Sequence, residues 1–331
     1  MTRSTYAVIG SNCFTGSHIV DKLLEDLSNF VIGISRSPEK SAFFLPYKKR
    51  ASKNFKFFQV DLFRQPDQLI SLLDEFQPSY VINVAALSEV GLSNVQPVEY
   101  FQTNCVGVVT LCNQLRMRKY LKRYIHISSA EVYGSCNTPL VEAAPLNPST
   151  PYAVSKAAAD MYLLTLYKNF GFPVILIRST NVHGKHQQLY KIIPRAIIYL
   201  KKKQIIELHG GGKAVKTWVH IRDVVDGIIR AAQIGVPGEI YHFSDQHSYT
   251  IFDLVQKICT FMNYDFHSST TSVGERLGQD AQYLLDYSKA KRELNWQPQI
   301  SFESGLKETI AWLEENWDQV PHEPLVYVHQ A

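Results

Sequence analysis

Between Tyr6 and Leu27 the chain reads strand, glycine turn, helix, and this order restricts the fold more than any other feature. Tyr6-Ala7-Val8-Ile9 is a short apolar strand, and Gly10-Ser11-Asn12-Cys13-Phe14-Thr15-Gly16 follows it. A helix is predicted from Ser17 to about Leu27, with Ile19, Val20, Leu23, Leu24 and Leu27 on one apolar stripe. A strand that turns through glycines into a helix is the setting a dinucleotide fingerprint requires. Gly10 permits the tight turn, Gly16 lets helix and strand pack closely, and the unpaired amides of the helix start face a pyrophosphate. Gly10, Asn12, Cys13, Phe14, Thr15 and Gly16 are therefore the candidate cofactor loop. Cys13 stands at the middle position, where such loops usually carry glycine. A small residue there strains the site without removing it, and a reactive thiol is the alternative role.

The next strand, Phe30-Val31-Ile32-Gly33-Ile34, ends in Ser35-Arg36-Ser37-Pro38. An NAD site usually places an acid here to hold the ribose hydroxyls. Arg36 instead suits a 2′-phosphate, which favours NADP over NAD. The alternative is an arginine stacked on adenine with NAD bound. Phe55 to Val60 is the third strand, and Asp61-Leu62 at its end is placed beside an adenine. The fourth runs from Tyr80 to Ala86, and its small residues Ala85 and Ala86 let the backbone approach a cofactor. Helices are predicted over Val95–Arg116 and Tyr152–Phe170, and a further buried strand over Pro173–Arg178.

This alternation predicts an α/β fold built on a doubly wound parallel sheet. The dinucleotide-binding domain is assigned to 1–180, with returning segments near 217–246, such as a strand at Glu239–Phe243. A smaller mixed α/β substrate region takes 181–216 and 247–331, where the rhythm is more interrupted. Within it, Thr250 with Asp253 reads as a capped helix start, and helices are expected at Ile192–Leu200, Asp223–Ala232 and Phe302–Trp317.

One stretch carries chemistry. The apolar run Tyr124-Ile125-His126-Ile127 stops at Ser129-Ala130-Glu131-Val132-Tyr133-Gly134, and Tyr152-Ala153-Val154-Ser155-Lys156 follows. A spacing of four puts Tyr152 and Lys156 on one helix face. Alone that spacing also describes an ordinary helix turn. Just past the end of a parallel strand, it lies where open α/β sheets bind ligands.

Composition narrows the class. Hydrophobic residues make up 45% of the chain and charged ones 19%, enough for a large core and a solvated surface. A net charge of +4 over 331 residues gives no basis for nucleic-acid binding, and no apolar run is long enough to span a membrane. Five cysteines show no pair at metal-ligand or redox spacing, so free thiols, no metal site and a cytoplasmic location are expected. The chain enters its first strand almost at once, which leaves no room for a signal peptide.

Taken in order, these segments resemble the extended short-chain dehydrogenase/reductase family, in its nucleotide-sugar epimerase/dehydratase group. The likeness runs from about Thr5 to Trp317 and is nearest to 4,6-dehydratases of the dTDP-glucose type. It rests on Gly10…Gly16, Asp61-Leu62, Asn83 to Ala86, Ser128 to Gly134 and Tyr152…Lys156. It continues through Asn181 to Gly184, Lys191 to Pro194, Lys216 to His220, and Arg276-Leu277-Gly278-Gln279-Asp280 before Tyr283 to Asp286.

The resemblance implies a nucleotide-diphosphate sugar as substrate and a tightly bound NAD(P) that is not consumed. Tyr152 as phenolate would take the C4 hydroxyl proton, Lys156 would lower the phenol's pKa, and Ser129 would orient the sugar oxygen. Glu131 would remove the C5 proton as the C6 hydroxyl leaves, with hydride returning to C6. Asn104 is counted with the cofactor residues, and Asn181, Lys191, Lys216 and Arg276 surround diphosphate and base. Lys216 stands where relatives usually have arginine, and Leu277 and Gln279 replace the usual proline and histidine.

The dTDP-glucose enzymes carry an acid at the position of Ala130, whereas GDP-mannose-type dehydratases manage with one glutamate. Glu89 either supplies the missing acid or is a solvated loop residue. An NDP-sugar 4-epimerase or NAD(P)-dependent reductase using Ser129, Tyr152 and Lys156 without elimination is the alternative, and a non-catalytic cofactor sensor is a third reading. Relatives commonly form homodimers by pairing helices 95–116 and 152–170 into a four-helix bundle. Val106, Val109, Leu111, Leu164 and Leu166 suit that or an internal core.

Overall fold

A computed structural model describes residues 4–50, 52–275 and 282–327. Seven strands form its central sheet: β1 (Thr5–Ile9), β2 (Phe30–Ser35), β3 (Phe55–Gln59), β4 (Tyr80–Asn83), β5 (Arg123–Ile127), β6 (Val174–Ser179) and, later in the chain, β10 (Ile240–Phe243). Their order is β10-β6-β5-β4-β1-β2-β3, and every pairing is parallel. β1 shows why. Tyr6 and Val8 enter one core and Ala7 and Ile9 another, so both faces must be covered. Helices α1 (Phe14–Leu23) and α8 (Ile221–Ile234) pack on the first face. Helices α2 (Pro66–Phe76), α5 (Gly107–Leu115) and α6 (Pro151–Phe170) pack on the second. The doubly wound parallel sheet expected from the sequence is the observed fold, and β10 returns to it beside β6.

The remaining strands, β7 (Asn181–His183), β8 (Ile206–His209), β9 (Val215–His220), β11 (Ser248–Thr250) and β12 (Thr270–Val273), form two small sheets. Their orders are β11-β9-β7 and β12-β8. Helices α7 (Ile192–Lys201), α9 (Ile251–Met262), α10 (Phe266–Ser269), α11 (Ser288–Leu294) and α12 (Phe302–Glu315) complete this part. Thr250 and Asp253 make the expected reciprocal capping box at the start of α9.

Several boundaries differ from the sequence reading. Helix α1 begins at Phe14 rather than Ser17, because the Cys13 thiol caps it by accepting from the Gly16 amide at 3.2 Å. It ends at Leu23, and Leu27 is exposed, beside a turn in which Asp26 Oδ1 takes the Ser28 amide. β4 stops at Asn83 because the Val84 and Ala85 amides both turn to the Ile9 carbonyl. The helix expected over 95–116 is broken into α3 (Val90–Ser93), α4 (Pro97–Phe101), a π-helical turn at Gln102–Val106, and α5. Pro97 opens α4, and the π turn aims Asn104 inward.

Burial holds a set of histidines neutral. It depresses His18 and His183 to about 4, His220 and His242 to about 3, and His126 well below its ordinary value. An unfolded chain protonates them below about pH 6.5. Between there and pH 4 the unfolded state binds more protons. Stability is therefore full above about pH 6.5 and lost as pH falls, each imidazole contributing up to about 1.4 kcal/mol per pH unit. Urea midpoints at about pH 7.5 and about pH 5 check this: the midpoint drops at the lower pH, and equal midpoints would refute neutral burial.

Candidate active site

A short turn follows β5, and buried polar groups fix it from beneath. Asp160 Oδ2 on α6 accepts from the Ser128 hydroxyl at 2.7 Å and from Arg178 Nε and Nη2 at 3.1 and 2.8 Å. Arg178, on β6, also donates from Nη1 to the Tyr133 hydroxyl at 2.5 Å, and Tyr133 donates to His242 Nε2 on β10 at 2.7 Å. Ser128 and Tyr133, at the two ends of the turn, are thus tied to three elements. Within it, Ser129 Oγ accepts from the Glu131 amide at 3.2 Å and caps the 3₁₀ segment Ala130–Tyr133. Gly134 closes the turn at φ +67°, where a Cβ would lie 2.2 Å from the Asn147 carbonyl oxygen. Ala130 is buried with Val132, Tyr133, Ala157, Tyr283 and Leu285.

Helix α6 supplies the other half. Thr150 caps it by accepting from the Ala153 amide, and Pro151 opens its first turn. Tyr152 is buried, and its phenol is pushed up by burial first and then by the negative charge of Glu131. A hydrogen bond from Ser129 opposes both. Ser129 and Tyr152 are therefore brought together, with Glu131 on the same turn as Ser129. Lys156 lies one turn along α6 and is held by the strand. Its ammonium donates to the Ile127 carbonyl at 2.7 Å and to His126 Nε2 at 3.2 Å, both on β5. Burial lowers it to about 8, and the two acceptors bind the ammonium where water would have.

The glycine turn fits a dinucleotide. A Cβ on Gly10, at φ +95°, would lie 2.6 Å from the Ala85 amide, and one on Gly16 would lie 2.2 Å from the Gly10 carbonyl oxygen. Backbone alone fits there, directly ahead of the start of α1. Asn12 Nδ2 ties this turn to the loop after β2 by donating to the Ser37 and Pro38 carbonyls at 2.9 and 2.7 Å. Its Oδ1 is buried and unpartnered among the described residues. The Cys13 thiol is a helix cap raised by burial, which argues against a reactive thiolate. Phe14 is buried in the core beside Thr15, and Arg36 is half-buried directly after β2.

Three expected cofactor residues make contacts within the protein. Asp61 Oδ1 accepts from the Phe63 and Arg64 amides, and Leu62 is buried against α5. Asn104 is fully buried: its Oδ1 accepts from the Leu87 amide, and its Nδ2 donates to the Leu87 carbonyl and the Ser155 hydroxyl. It braces the loop after β4 against α6. Ala85 and Ala86 stand in that loop, half-buried.

At the substrate end Glu89 and Lys191 form an ion pair. Asn181 Oδ1 accepts from the Tyr283 hydroxyl at 3.0 Å, and the Lys216 ammonium lies 4.4 Å from the centre of the Tyr283 ring. Arg276 lies outside the described residues. Residues the sequence reading missed are Tyr100, whose ring meets Tyr152 edge-on at 6.4 Å, and Tyr190, whose ring meets that of Tyr327 at 5.4 Å. His126 and Lys40 were also missed, Lys40 lying within electrostatic range of Cys13. For His126 a signal existed: it fills a fully buried position with an imidazole, between Ile125 and Ile127.

Known proteins are similar to this chain along most of its length. A family model described as GDP-mannose 4,6 dehydratase matches residues 8–309. The dTDP-glucose 4,6-dehydratase of Haemophilus influenzae is 29% identical over 326 residues, covering 92% of this chain and 96% of that protein. The dTDP-D-glucose 4,6-dehydratase of Homo sapiens is 29% identical over 318 residues, covering 94% and 90%. Among solved structures, DesIV (dTDP-glucose 4,6-dehydratase) from Streptomyces venezuelae with NAD bound superposes with a TM-score of 0.90 at 31% identity, over 97% of this chain and all of that one.

Replacing Asp160 by alanine strands the Arg178 guanidinium without its partner, both side chains being almost wholly buried. A loss of about 3–5 kcal/mol is expected in denaturant unfolding. An unchanged midpoint would mean that the pair does not hold the turn.

Proposed function

The chain belongs to the GDP-mannose 4,6-dehydratase family, and from that membership we propose that it is a lyase, an NDP-hexose 4,6-dehydratase that converts a nucleotide-diphosphate hexose to its 4-keto-6-deoxy product. The observation that carries this reading is a carboxylate on the turn of the catalytic hydroxyl: Glu131 donates its amide to Ser129 Oγ at 3.2 Å. An epimerase needs no base at C5, whereas an elimination does.

A nicotinamide dinucleotide, when bound in the Gly10–Gly16 cradle, supplies the hydride acceptor and donor. The protein's own groups do the rest. Ser129 orients the sugar C4 hydroxyl and Tyr152 takes its proton, with Lys156 as the nearby cation. The resulting C4 ketone acidifies C5–H, and Glu131 removes that proton. Burial and Glu131 both resist ionisation of Tyr152, so positive charge brought beside the phenol must offset them before it gives up its proton. Asn181, Lys216 and Tyr283 hold the nucleotide end, joined there by Arg276 and by Lys191 at the diphosphate.

NADP is proposed ahead of NAD, with Arg36 on the 2′-phosphate and Lys40 nearby. Replacing Arg36 by aspartate then reverses the order of the two affinities in a fluorescence titration, and a variant that still prefers NADP defeats the assignment. Five free thiols accord with a reducing, cytoplasmic setting, and among the described residues no helix is long and apolar enough to cross a membrane.

A homodimer is proposed through α4, the π turn and α6. Leu111 and Leu166 belong to the internal core, but Val98, Val106, Val154 and Met161 are exposed. Val154 and Met161 lie two turns apart on one face of α6. Replacing Val106 and Met161 together by glutamate yields monomers by light scattering, and an unchanged mass would remove this face from consideration.

The function itself is tested by incubating the protein with dTDP-, UDP- and GDP-hexoses and weighing the products. Loss of one water is expected, and Tyr152→Phe lowers the rate by about 10²–10⁴-fold. A C4-inverted sugar with no mass lost would replace the lyase by an epimerase.

A further inference from the structure

Elimination at C6 moves two protons in opposite directions. Glu131 accepts one from C5, and the departing oxygen must receive another, because hydroxide leaves poorly. Position 130, next to that base, offers an alanine buried among apolar side chains. Asp160 is locked to Arg178 beneath the turn. Among the described residues, Glu89 is a further carboxylate whose charge reaches Tyr152.

Glu89 is held firmly. It opens α3, and its carbonyl accepts from the Tyr100 hydroxyl at 2.6 Å and from the Leu92 and Ser93 amides at 3.1 and 3.2 Å. Its side chain crosses to Lys191, the residue that starts α7. The groups that face it are Lys191 and Tyr190 ahead of α7, Tyr100 on α4, Tyr152 on α6, and Tyr327 near the end of the described chain. Its charge acts on all four of those tyrosines. Leu87, Tyr100 and Tyr152 form one buried cluster with Val90 and Leu92 packed against it, so the segment that carries Glu89 lies against the phenol from a different element than Glu131 does.

We propose that Glu89 is the general acid of the elimination, paired with Lys191 in the free protein and released to act when the substrate's diphosphate draws the Lys191 ammonium away. The inference rests on the dehydratase reading above. A diphosphate carries more charge than a carboxylate and competes for the same cation. A carboxylate parted from its cation takes up a proton more readily. In the 4-keto intermediate the C5–H bond breaks, its proton passing to Glu131 and its electron pair forming C5=C6. The C6–O bond breaks, and the departing oxygen takes the Glu89 proton and leaves as water.

A leaving-group substitution tests the role. The cofactor-loaded protein is given dTDP-glucose, with UDP- and GDP-hexoses in parallel, and the same nucleotide sugars bearing fluorine at C6. Fluoride departs without a proton. Glu89→Gln then slows water loss by about 10²-fold, yet releases fluoride within a few-fold of the unmodified protein. Glu131→Gln blocks both. Equal slowing of both substrates by Glu89→Gln, or no slowing of either, overturns the assignment. A second readout needs neither variant nor turnover: calorimetric titration of the unmodified protein with dTDP in buffers of different ionisation enthalpy reports uptake of about one proton per site, and no uptake overturns the release from Lys191. Unmodified protein that expels water from none of the sugars sinks the dehydratase reading itself. Normal dehydration by Glu89→Gln sinks only the acid.

Discussion

Asp160 and Arg178 meet inside the molecule with almost no water to solvate either, and the active-site geometry follows from that meeting. One carboxylate oxygen collects Ser128 and two guanidinium donors, and the guanidinium reaches on to Tyr133. Tyr152, Lys156 and Asp160 are spaced four apart on α6, so they form one stripe turned toward the sheet. Anchoring the last of the three fixes the rotation of the helix. That rotation decides where the phenol stands relative to the turn carrying Ser129 and Glu131. A buried ion pair is a poor source of net stability, but a partner lost from it is severely penalised. Such an arrangement fixes register more than it adds stability.

The same dryness governs the chemistry. Burial pushes the Tyr152 phenol up and brings Lys156 down to about 8, so the free protein holds a neutral phenol and a weakened cation. His126 and the Ile127 carbonyl receive the ammonium in the meantime. Glu89 and Lys191 neutralise one another across the cleft. Charges that would act on a sugar are thus quenched within the protein, and ligands carrying their own charge must redistribute them.

Much of this could be read from the sequence, for physical reasons. Strands buried on both faces are almost continuously apolar, and β1, β2, β5 and β6 appear close to their expected ranges. Gly10 and Gly16 were legible because only a missing side chain fits against Ala85 and the Gly10 carbonyl. The start of α1 was misread because a cysteine is an uncommon cap, and the break before α5 because a π turn leaves no pattern in hydrophobic spacing. Asn104 looked like a cofactor ligand by position, whereas its amide braces Leu87 against Ser155. Glu89 with Lys191, and Asn181 with Tyr283, are each 102 residues apart, so local spacing held no trace of either contact.

One site, with a base for C4 and a base for C5, is the central claim, and the isotope content of the product tests it most directly. Dehydration carried out in heavy water should place a single deuterium at C5, because the proton Glu131 removes is exchanged before it is returned. A product carrying no solvent deuterium at C5 would contradict the account.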